Sequence, residues 1–494
     1  MIAYLVLLAT IVFIRWLFRL DLRHRALASS ALWIPGLWVF VISTRPVNYW
    51  FNLVGIRTGG TSGDAGESSL INTAVYLILT GAAIVVLLKR NFEWGTLFRN
   101  NAALMLVYCF FAVSALWTGD GLVSFRRLFK DFGNVLVALV ILSETRPWDQ
   151  IRTLLVRLAY IHIPLSFICC KFFPYVGRNS SRSDHTMYTG LTMQKNTLGQ
   201  VMVLLLLVLI WDYFEISKEL SGRELRRARA ARLALMFIGL WTLNIAASTT
   251  ATILLMLGAF LFFLFKRALD RGQKIVGRVL VLILLIVTLE STLNLSSAIY
   301  ALFGKNETLT GRTDIWNEAL RLMDQPILGF GYYQFWFTPK ADLLYRNLGD
   351  LIHVKTAHNG FIEVYLDGGF VGWIFFAIFL LAMLKHGYDA INDRASPVSL
   401  PLIFCIVGLV SNNSESSFFR MDMLWFTLLL FTTKYSPSLR NIQWPSRNRR
   451  PTMSTSIRRP VVANGTAARG MRGVGAKVSS PSIRNFVGEG EAFA

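Results

Sequence analysis

The sequence predicts an all-α polytopic membrane protein with about 12–13 transmembrane helices and one large periplasmic loop. Composition is the first reason: of the 494 residues, 54% are hydrophobic and only 16% are charged, and the mean hydropathy is positive. The second reason is that apolar stretches of roughly 15–25 residues recur along the chain, the length needed to cross about 30 Å of hydrocarbon. A soluble protein of this size does not need so much apolar sequence.

The predicted spans begin at the N-terminus itself. The chain starts with apolar residues, without a basic region or a small-residue cleavage site, so this stretch is interpreted as a first span rather than a signal peptide. In chain order, the predicted spans are 2–18, 27–44, 71–88, 101–117, 127–143, 152–172, 197–216, 233–247, 250–266, 279–296, 360–384, 399–412 and 423–435.

Short basic segments between the spans predict the orientation. Segments 89–99, 217–232 and 266–278 are rich in Lys and Arg, and the positive-inside rule places them in the cytoplasm. The N-terminus and the long 297–358 segment then lie outside the cytoplasm, and the C-terminus lies in the cytoplasm. These loops also account for much of the net charge of +21, so nucleic acid is not needed as a partner to explain it.

The chain divides into two regions of different composition. Residues 1–435 form the predicted membrane domain, which includes the periplasmic loop 297–358. Residues 436–494 are rich in Ser, Arg, Pro, Gly and Asn and lack apolar periodicity. They are predicted to be a basic, disordered cytoplasmic tail whose arginines lie against anionic lipid headgroups. The alternative is an unstructured tail without a specific role.

The sequence carries no signature of a cofactor or a metal site. Cys109, Cys169, Cys170 and Cys405 all lie in apolar runs, which argues against a disulfide framework and against zinc. There is no P-loop, dinucleotide-binding fingerprint, HExxH motif or outer-loop acidic pair for a metal–nucleotide sugar. We therefore expect no cofactor and no metal, and an enzyme that does not use nucleotide sugars.

His358 and Arg312, both in the 297–358 segment, are the candidate catalytic residues. A histidine titrates near neutral pH and can accept a proton from an attacking sugar hydroxyl. His358 and the adjacent Asn359 stand at the outer end of a span, where water reaches them. Arg312 can bind a phosphate through two parallel N–H donors of its planar guanidinium. The alternatives are a loop histidine among lipid headgroups and a solvated loop arginine.

The helix that follows His358 carries acidic residues within a predicted span. Glu363 and Asp367 are four residues apart and therefore share one helix face. Acids inside a span are costly and are usually functional or paired, so Glu363 is a candidate substrate-binding residue. Gly369 and Gly372, close to Asp367, allow close helix packing or a kink.

Basic residues near other outer span ends are further candidates for binding an anionic substrate. Lys195 and Asn196 begin a span, where helix dipole, amide groups and ammonium together bind an anion. The alternative is that Lys195 anchors the start of the helix at the membrane–water interface. Arg182 lies in the preceding loop.

Outer basic residues also occur at the start of the 127–143 span, against the positive-inside trend. Arg126 and Arg127 are therefore candidates for binding phosphate or lipid headgroups, unless that span is misplaced. Glu415 and Arg420 in the last outer loop form a further group, to which no role is assigned.

Several of these stretches resemble a known family. The segments 311–316 (GRTDIW) and 326–331 (PILGFG) are followed by His358-Asn359 and then, after nine residues, by Gly369 and Gly372. This pattern resembles the superfamily of O-antigen ligases and Wzy-type polysaccharide polymerases, over about residues 100–435. Lys195-Asn196-Thr197-Leu198-Gly199 is similar to a stretch of the rhizobial, succinoglycan-type exopolysaccharide polymerases.

The resemblance implies a reaction at the periplasmic face of the bacterial inner membrane. Members of the superfamily transfer a glycan from undecaprenyl diphosphate to an acceptor hydroxyl. Polymerases use another lipid-linked repeat unit as the acceptor, whereas ligases use lipid A-core. By motif, His358 would be the base or acceptor-orienting residue and Arg312 a diphosphate contact. A flippase and a chain-length regulator are the implied partners.

Polymerisation of lipid-linked repeat units into exopolysaccharide is the leading functional hypothesis. An O-antigen ligase is the alternative within the family, although the Ser248-Thr249-Thr250 turn lacks the arginine that ligases commonly carry there. In this chain, Lys195 or Arg182 would have to supply the positive charge of that missing arginine. A membrane transporter is the alternative from another class, and it depends on Glu363 and Asp367 lining a central cavity.

Overall fold

The computed structural model describes most of the membrane domain. Its described residues are 1–22, 29–56, 69–90, 92–180, 186–271, 277, 310–349, 355–392 and 400–435. They belong to one compact unit, Met1–Leu439. The predicted span 279–296 and the predicted tail 436–494 lie outside the described residues.

The described part of the chain is built almost entirely from helices. Its one small sheet pairs two three-residue strands. The helices are α1 (Ile2–Leu22), α2 (Trp33–Ser43), α3 (Val47–Leu53), α4 (Leu70–Lys89), α5 (Trp94–Asn100), α6 (Ala102–Ser114), α7 (Gly121–Leu142), α8 (Pro147–Phe172), α9 (Pro174–Gly177), α10 (Lys195–Glu215), α11 (Gly222–Ala246), α12 (Thr249–Asp270), α13 (Thr310–Arg321), α14 (Pro339–Asn347), α15 (Gly360–Asn392), α16 (Leu400–Ser411) and α17 (Met423–Thr432).

The helices confirm an all-α polytopic membrane protein. Among the described residues, seven helices are long and apolar enough to cross a membrane: α1, α4, α8, α10 with its following turn, α11, α12 and α15. The number rises to nine if two bent pairs each form one span. These pairs are α2 with α3, bent by 76°, and α5 with α6, bent by 95°. Helices α16 and α17 are apolar but shorter.

Two helices begin well before the predicted spans. Helix α7 begins at Gly121 rather than 127, because the side chain of Asp120 accepts a hydrogen bond from Val123 N at 3.0 Å and caps the helix. Helix α11 begins at Gly222, so most of the segment predicted as the basic loop 217–232 is helical. That segment is rich in Arg, Ala and Leu, which are strong helix formers.

Buried ion pairs hold α8, α10 and α11 together at the end of α10 farthest from Lys195. The Asp212 carboxylate accepts hydrogen bonds from Arg152 Nε at 2.6 Å and from Arg232 Nε at 2.8 Å. All three side chains are buried. Removing one member of such a buried set leaves an uncompensated charge, which is strongly destabilising.

A β-hairpin connects α9 to the loop before α10. Strand β1 (Arg178–Ser180) pairs antiparallel with β2 (Thr186–Tyr188). Buried Arg45 fixes its base by donating to Val176 O at 2.7 Å and to Thr189 Oγ1 at 2.9 Å. The tip of this hairpin, which contains the predicted substrate-binding residue Arg182, lies outside the described residues.

Helix α15 is broken at Gly369, and the loop after α13 fills the break. Gly369 has non-helical backbone angles (φ 57°, ψ −157°). The loop 326–331 lies against the break, so its backbone replaces the missing helical hydrogen bonds. The four bonds are Phe330 N to Leu366 O (2.9 Å), Gly331 N to Asp367 O (2.9 Å), Phe370 N to Pro326 O (2.8 Å) and Val371 N to Ile327 O (3.1 Å).

This backbone pairing requires glycine at two positions. Gly369 and Gly329 both have positive φ, which L side chains rarely adopt. A Cβ on Gly369 would lie 2.5 Å from Ile327 O, and one on Gly329 would lie 2.4 Å from Asp367 O. The kink expected near Gly369 is therefore present, and its partner is the 326–331 motif.

Candidate active site

The carboxylate of Glu415 lies at the centre of the candidate site. It accepts a hydrogen bond from Asn196 Nδ2 at 2.6 Å and pairs with Arg312 Nη2 at 3.3 Å. Its second oxygen lies 3.5 Å from His358 Nδ1. The loop 412–422 thus brings together three of the residues singled out from the sequence, which come from α10, α13 and the turn before α15.

His358 occupies a strained turn directly before α15. Its φ is 50°, a left-handed conformation that is uncommon for residues other than glycine. Thr356 Oγ1 accepts a hydrogen bond from His358 N at 3.2 Å. Asn359 caps the helix, because its Oδ1 accepts from Phe361 N at 3.0 Å and from Ile362 N at 3.2 Å. The turn therefore presents the imidazole at the end of a span.

Arg312 is held in the first turns of α13. Its Nη1 donates to Ser414 O, while its Nη2 contacts Glu415. Helix α13 is in turn fixed to the His358 turn, because Trp316 Nε1 donates to Ala357 O at 2.7 Å. The planar guanidinium therefore uses both of its terminal nitrogens on the 412–422 loop.

The start of α15 in turn fixes the loop that carries Glu415. Asn412 Oδ1 accepts hydrogen bonds from Ser417 N at 2.9 Å and Phe418 N at 3.1 Å. Gly360 N donates to Asn412 O at 2.8 Å and to Glu415 O at 3.1 Å. A Cβ at Gly360 would lie 2.2 Å from Asn412 Oδ1, so only glycine allows this approach.

The site is partly accessible to solvent. The side chains of Arg312 and His358 are each 22% exposed, and that of Glu415 is 14% exposed. This leaves room for a substrate to reach them, while partial burial strengthens their electrostatic interactions relative to bulk water. One carboxylate between an arginine and a histidine orients both groups and keeps the arginine from repelling a protonated imidazole.

Lys195 is the first residue of α10 and precedes Asn196 directly. In the part of the chain that the structure describes, its ammonium makes no ion pair with a carboxylate, in contrast to Arg312. The helix N-terminus beside it carries backbone N–H groups without intrahelical partners. Lys195 thus adjoins, in sequence, a residue that contacts Glu415.

Glu363 is buried beneath the His358 turn. Its carboxylate accepts from Ala357 N at 2.6 Å and from Trp336 Nε1 at 3.1 Å, and it pairs with Arg420 Nη2 at 2.8 Å. Burial alone would lower the pKa of Arg420, but the adjacent acids, Glu363 above all, raise it above its ordinary value. The prediction that Glu363 binds substrate remains a prediction; the contacts observed join it to the protein itself.

Asp367 lies one turn after Glu363 on the same face, as expected. Both side chains are buried, with exposed fractions of 5% and 2% respectively. They pack against the 333–336 segment, since Trp336 Nε1 donates to the Glu363 carboxylate and the backbone N–H groups of Tyr333 and Gln334 donate to the Asp367 carboxylate. This packing does not favour the central cavity that a transporter would need.

Arg127 and Arg126 lie on different faces of α7. Arg127 Nη1 donates to Tyr333 O at 3.0 Å, and its guanidinium lies 4.0 Å from the ring centre of Phe337. The side chain of Arg126 is exposed, and its Nε lies 3.4 Å from Leu122 O on the same helix. Neither arginine contacts Glu415 in the described part of the structure.

The sequence placed Glu415 and Arg420 in a further candidate group but gave them no role. Both were noted in the loop between the last two spans, but neither had a motif or a regular spacing to a partner. Only their residue types could have pointed to a functional role, because they are a carboxylate and an arginine in a Ser- and Asn-rich outer loop. In the described ranges, no group of three or more His, Cys, Asp or Glu side chains could hold a metal ion.

Part of the chain is similar in sequence to a known family. Residues 233–377 match the family model described as O-Antigen ligase, and this segment includes Arg312, His358 and Gly369. This segment of the chain is therefore similar to the O-antigen ligase family. Lys195, Asn196 and Glu415 lie outside the matched segment, so part of the candidate site comes from helices and loops that flank this segment.

One curated relative also matches the chain. It is the exopolysaccharide production protein ExoQ of Rhizobium meliloti (strain 1021), 29% identical over 161 residues. The alignment covers 29% of this chain, and the chain spans 36% of the length of that relative. Both comparisons support the resemblance to the family of O-antigen ligases and Wzy-type polymerases.

Proposed function

We propose that this protein polymerises oligosaccharide repeat units carried on undecaprenyl diphosphate into exopolysaccharide. The observation that carries the proposal is the convergence of Asn196, Arg312 and His358 on Glu415 at one end of the helix bundle. The similarity to the O-antigen ligase family supports a glycan transfer reaction on a lipid-borne substrate. The name of the matching relative supports exopolysaccharide as the product.

In the proposed reaction, a hydroxyl oxygen of the acceptor repeat unit attacks the anomeric carbon of the donor sugar. A new glycosidic bond forms as the bond between that carbon and the diphosphate oxygen breaks. Polyprenyl diphosphate leaves with the bonding electron pair. His358 Nε2 accepts the proton of the attacking hydroxyl, since Glu415 lies 3.5 Å from Nδ1 and favours the tautomer with its proton there.

Cationic groups stabilise the leaving diphosphate in this proposal. Arg312 has more N–H groups than the two that contact Ser414 and Glu415, and the remaining ones can donate to phosphate oxygens. Lys195 and the N-terminus of α10 add an ammonium and backbone N–H groups. As negative charge develops on the leaving group, these donors stabilise the transition state more than the ground state. The reaction needs neither a metal ion nor a nucleotide sugar.

We place this activity at the periplasmic face of the bacterial inner membrane. The donor and acceptor arrive there as lipid-linked units, which implies a flippase upstream and a chain-length regulator as working partners. The basic segment 217–232 belongs on the cytoplasmic side, opposite the Glu415 cluster.

Reconstitution tests this function directly. Purified protein in liposomes would receive undecaprenyl-diphosphate-linked repeat units and no lipid A-core, and the product would be separated on a gel. A ladder of chain lengths is expected. Transfer that occurs only after lipid A-core is added would make the protein a ligase. Absence of any transfer by intact protein would contradict the glycosyltransferase assignment and return attention to transport.

A further inference from the structure

A cationic groove lies between α1 and α11, at the end of the bundle opposite the Glu415 cluster. It is a cavity of about 400 Å³ lined by Trp16, Arg19 and Leu20 of α1 and by Arg227 of α11. This volume is within the range of about 300–1,000 Å³ that is typical of ligand pockets. We call this cavity the α1–α11 groove, and the proposed reaction makes no use of it.

Buried ion pairs fix both walls of the groove on α8. Arg157 Nε of α8 donates to Asp21 Oδ2 of α1 at 2.8 Å, and Arg232 Nη2 of α11 lies 4.0 Å from the other oxygen of Asp21. Arg232 also pairs with Asp212 near the C-terminal end of α10. These contacts place α1 and α11 side by side, so the groove is already formed before a ligand binds.

The two arginines of the groove carry uncompensated positive charge. In the part of the chain that the structure describes, neither Arg19 nor Arg227 forms an ion pair, a hydrogen bond or a cation–π contact through its guanidinium. Asp21, the acid nearest to Arg19 in sequence, is paired with Arg157 and Arg232 instead. Both groove arginines are exposed, so their N–H groups can donate to a ligand.

An exposed apolar stripe on α1 leads away from Arg19. Leu5, Leu8, Val12 and Trp16 precede Arg19 at intervals of three or four residues, so all five share one face of the helix. The four apolar side chains are exposed. At 1.5 Å per residue, the stripe extends about 20 Å along the helix axis. A length of this order is comparable to that of a lipid acyl chain in one leaflet of a bilayer.

Helix α11 carries a second stripe of the same kind. Ala230, Ala234, Phe237 and Trp241 follow Arg227 at intervals of three or four residues, and all of them are exposed. Each helix therefore has an arginine at one end of an exposed apolar face. Because both arginines line the same cavity, the two faces begin at one common cationic end.

This arrangement selects a ligand with an anionic group and apolar chains. Guanidinium groups bind phosphate oxygens through parallel N–H donors. A free anion would satisfy Arg19 and Arg227 but leave both apolar stripes uncovered, and an uncharged lipid would leave the arginines unpaired. Basic pockets between transmembrane helices on the cytoplasmic side are known to bind anionic headgroups, and Trp side chains such as Trp16 favour headgroup depth.

We propose that the α1–α11 groove binds an anionic phospholipid of the cytoplasmic leaflet. The headgroup phosphate accepts hydrogen bonds from Arg19 and Arg227, and an acyl chain lies along Leu8 and Val12 of α1. The positive-inside rule assigns this end of the bundle to the cytoplasm, because α11 begins there with a basic segment. The site is independent of the proposed polymerase function and lies on the other side of the membrane from it.

Lipid binding to the purified protein tests this site. Delipidated protein in a neutral detergent would be titrated with phosphatidylglycerol while its thermal unfolding midpoint is measured, because a ligand that binds only the folded state raises that midpoint. Wild type is expected to respond. Arg19→Gln and Arg227→Gln are each expected to need about tenfold or more phosphatidylglycerol for the same shift, since a charge-assisted contact to the phosphate is lost. Native mass spectrometry would count the lipid molecules retained.

Arg226→Gln is the matched control. It removes the same charge from the same turn of α11, but Arg226 does not line the groove. Its response to phosphatidylglycerol should equal that of wild type, and midpoints measured without lipid show that all variants are folded. An equal response in all four proteins would overturn the proposal, because it would reflect a general attraction of anionic lipid to this basic end. A wild type that neither responds nor retains phosphatidylglycerol would overturn it as well.

Two further ligands identify what the groove recognises. Inorganic phosphate is expected to leave the midpoint of wild type nearly unchanged at concentrations where phosphatidylglycerol raises it. An equal effect of inorganic phosphate would show that the groove binds a free anion and would contradict a lipid site. Phosphatidylcholine with the same acyl chains should bind more weakly, since its phosphate charge is compensated. Equal affinity for both lipids would contradict recognition of the anionic headgroup by Arg19 and Arg227.

Discussion

Glu415 sets the geometry of the candidate site at the scale of single residues. One carboxylate contacts an amide, a guanidinium and an imidazole that lie far apart in sequence. The hydrogen bonds from Asn196 and Arg312 are charge-assisted, and such bonds are about twice as strong as neutral ones. The arrangement resembles other base–carboxylate pairs, in which the acid fixes the tautomer of the histidine.

Glu415→Gln tests this positioning role. The amide is the same size and keeps one acceptor oxygen, but it loses the charge that favours a proton on His358 Nδ1. We expect the rate to fall by about tenfold to a hundredfold with an intact fold. The measurement is the rate beside that of Glu415→Asp, which keeps the charge: a positioning role predicts partial rescue by the aspartate, whereas an equal loss in both variants would contradict it.

His358→Asn tests the proposed base. Asparagine tolerates the left-handed backbone of this turn better than alanine does, so the substitution removes the imidazole with little added strain. Loss of a general base lowers the rate by about 10²–10⁴-fold. Product formation would be followed on gels, with size-exclusion chromatography in detergent as the check on folding. A fully active variant would exclude His358 from the chemistry.

Part of this site could be predicted from the sequence. His358 and Arg312 lie in motifs with recognisable spacing, and the structure places both beside one carboxylate. Glu415 could not be assigned, because its partners are separated from it by long stretches of chain. Its role depends on how α15 and α16 return the chain to the same end of the bundle.

The broken helix α15 is the main feature at the scale of elements. The loop 326–331 supplies hydrogen bonds that the helix loses at Gly369. This explains why the PILGFG motif and the glycines after His358 belong together, although many residues separate them. A backbone group left unpaired in a membrane is costly, so the loop and the helix stabilise each other.

Gly369→Ala is expected to destabilise the protein by about 2 kcal/mol or more, because a Cβ would meet backbone atoms at a positive φ. Thermal unfolding in detergent would show a lowered midpoint. Gly81→Ala is the control, since a Cβ at Gly81 in α4 meets nothing within 4 Å. Equal midpoints for the two variants would contradict the proposed need for glycine.

Hydropathy predicted most of the spans but not the bends. It located α1, α4, α8, α10, α12 and α15 because apolar length is visible in the sequence. The 95° bend between α5 and α6 and the early start of α7 depend on caps and tertiary contacts, which composition does not record. The basic start of α11 was missed because charge was interpreted as a loop, although Arg and Ala favour helix.

Orientation in the membrane is a property of the whole molecule. The positive-inside rule predicts that Arg223, at the start of α11, lies in the cytoplasm and that Lys340, in α14, lies in the periplasm. The two positions therefore test the arrangement of the entire bundle.

Single-cysteine labelling checks this orientation. In a background without the four native cysteines, Lys340→Cys should react with a membrane-impermeant maleimide in intact cells. Arg223→Cys should react only after the inner membrane is permeabilised. The reverse pattern would place the Glu415 cluster in the cytoplasm and exclude the proposed use of periplasmic lipid-linked substrates.

The insertion of loop 326–331 into α15 limits how relatives of this protein can be recombined. Consider a chimera that exchanges only the segment between α12 and α15. Its foreign 326–331 loop would meet the native break in α15, and the backbone hydrogen bonds across Gly369 would be lost. The smallest transferable module therefore runs from α13 through the first turns of α15 beyond Gly369. In chimeras made to change substrate specificity, the C-terminal junction should therefore lie after Val371 rather than at the membrane surface.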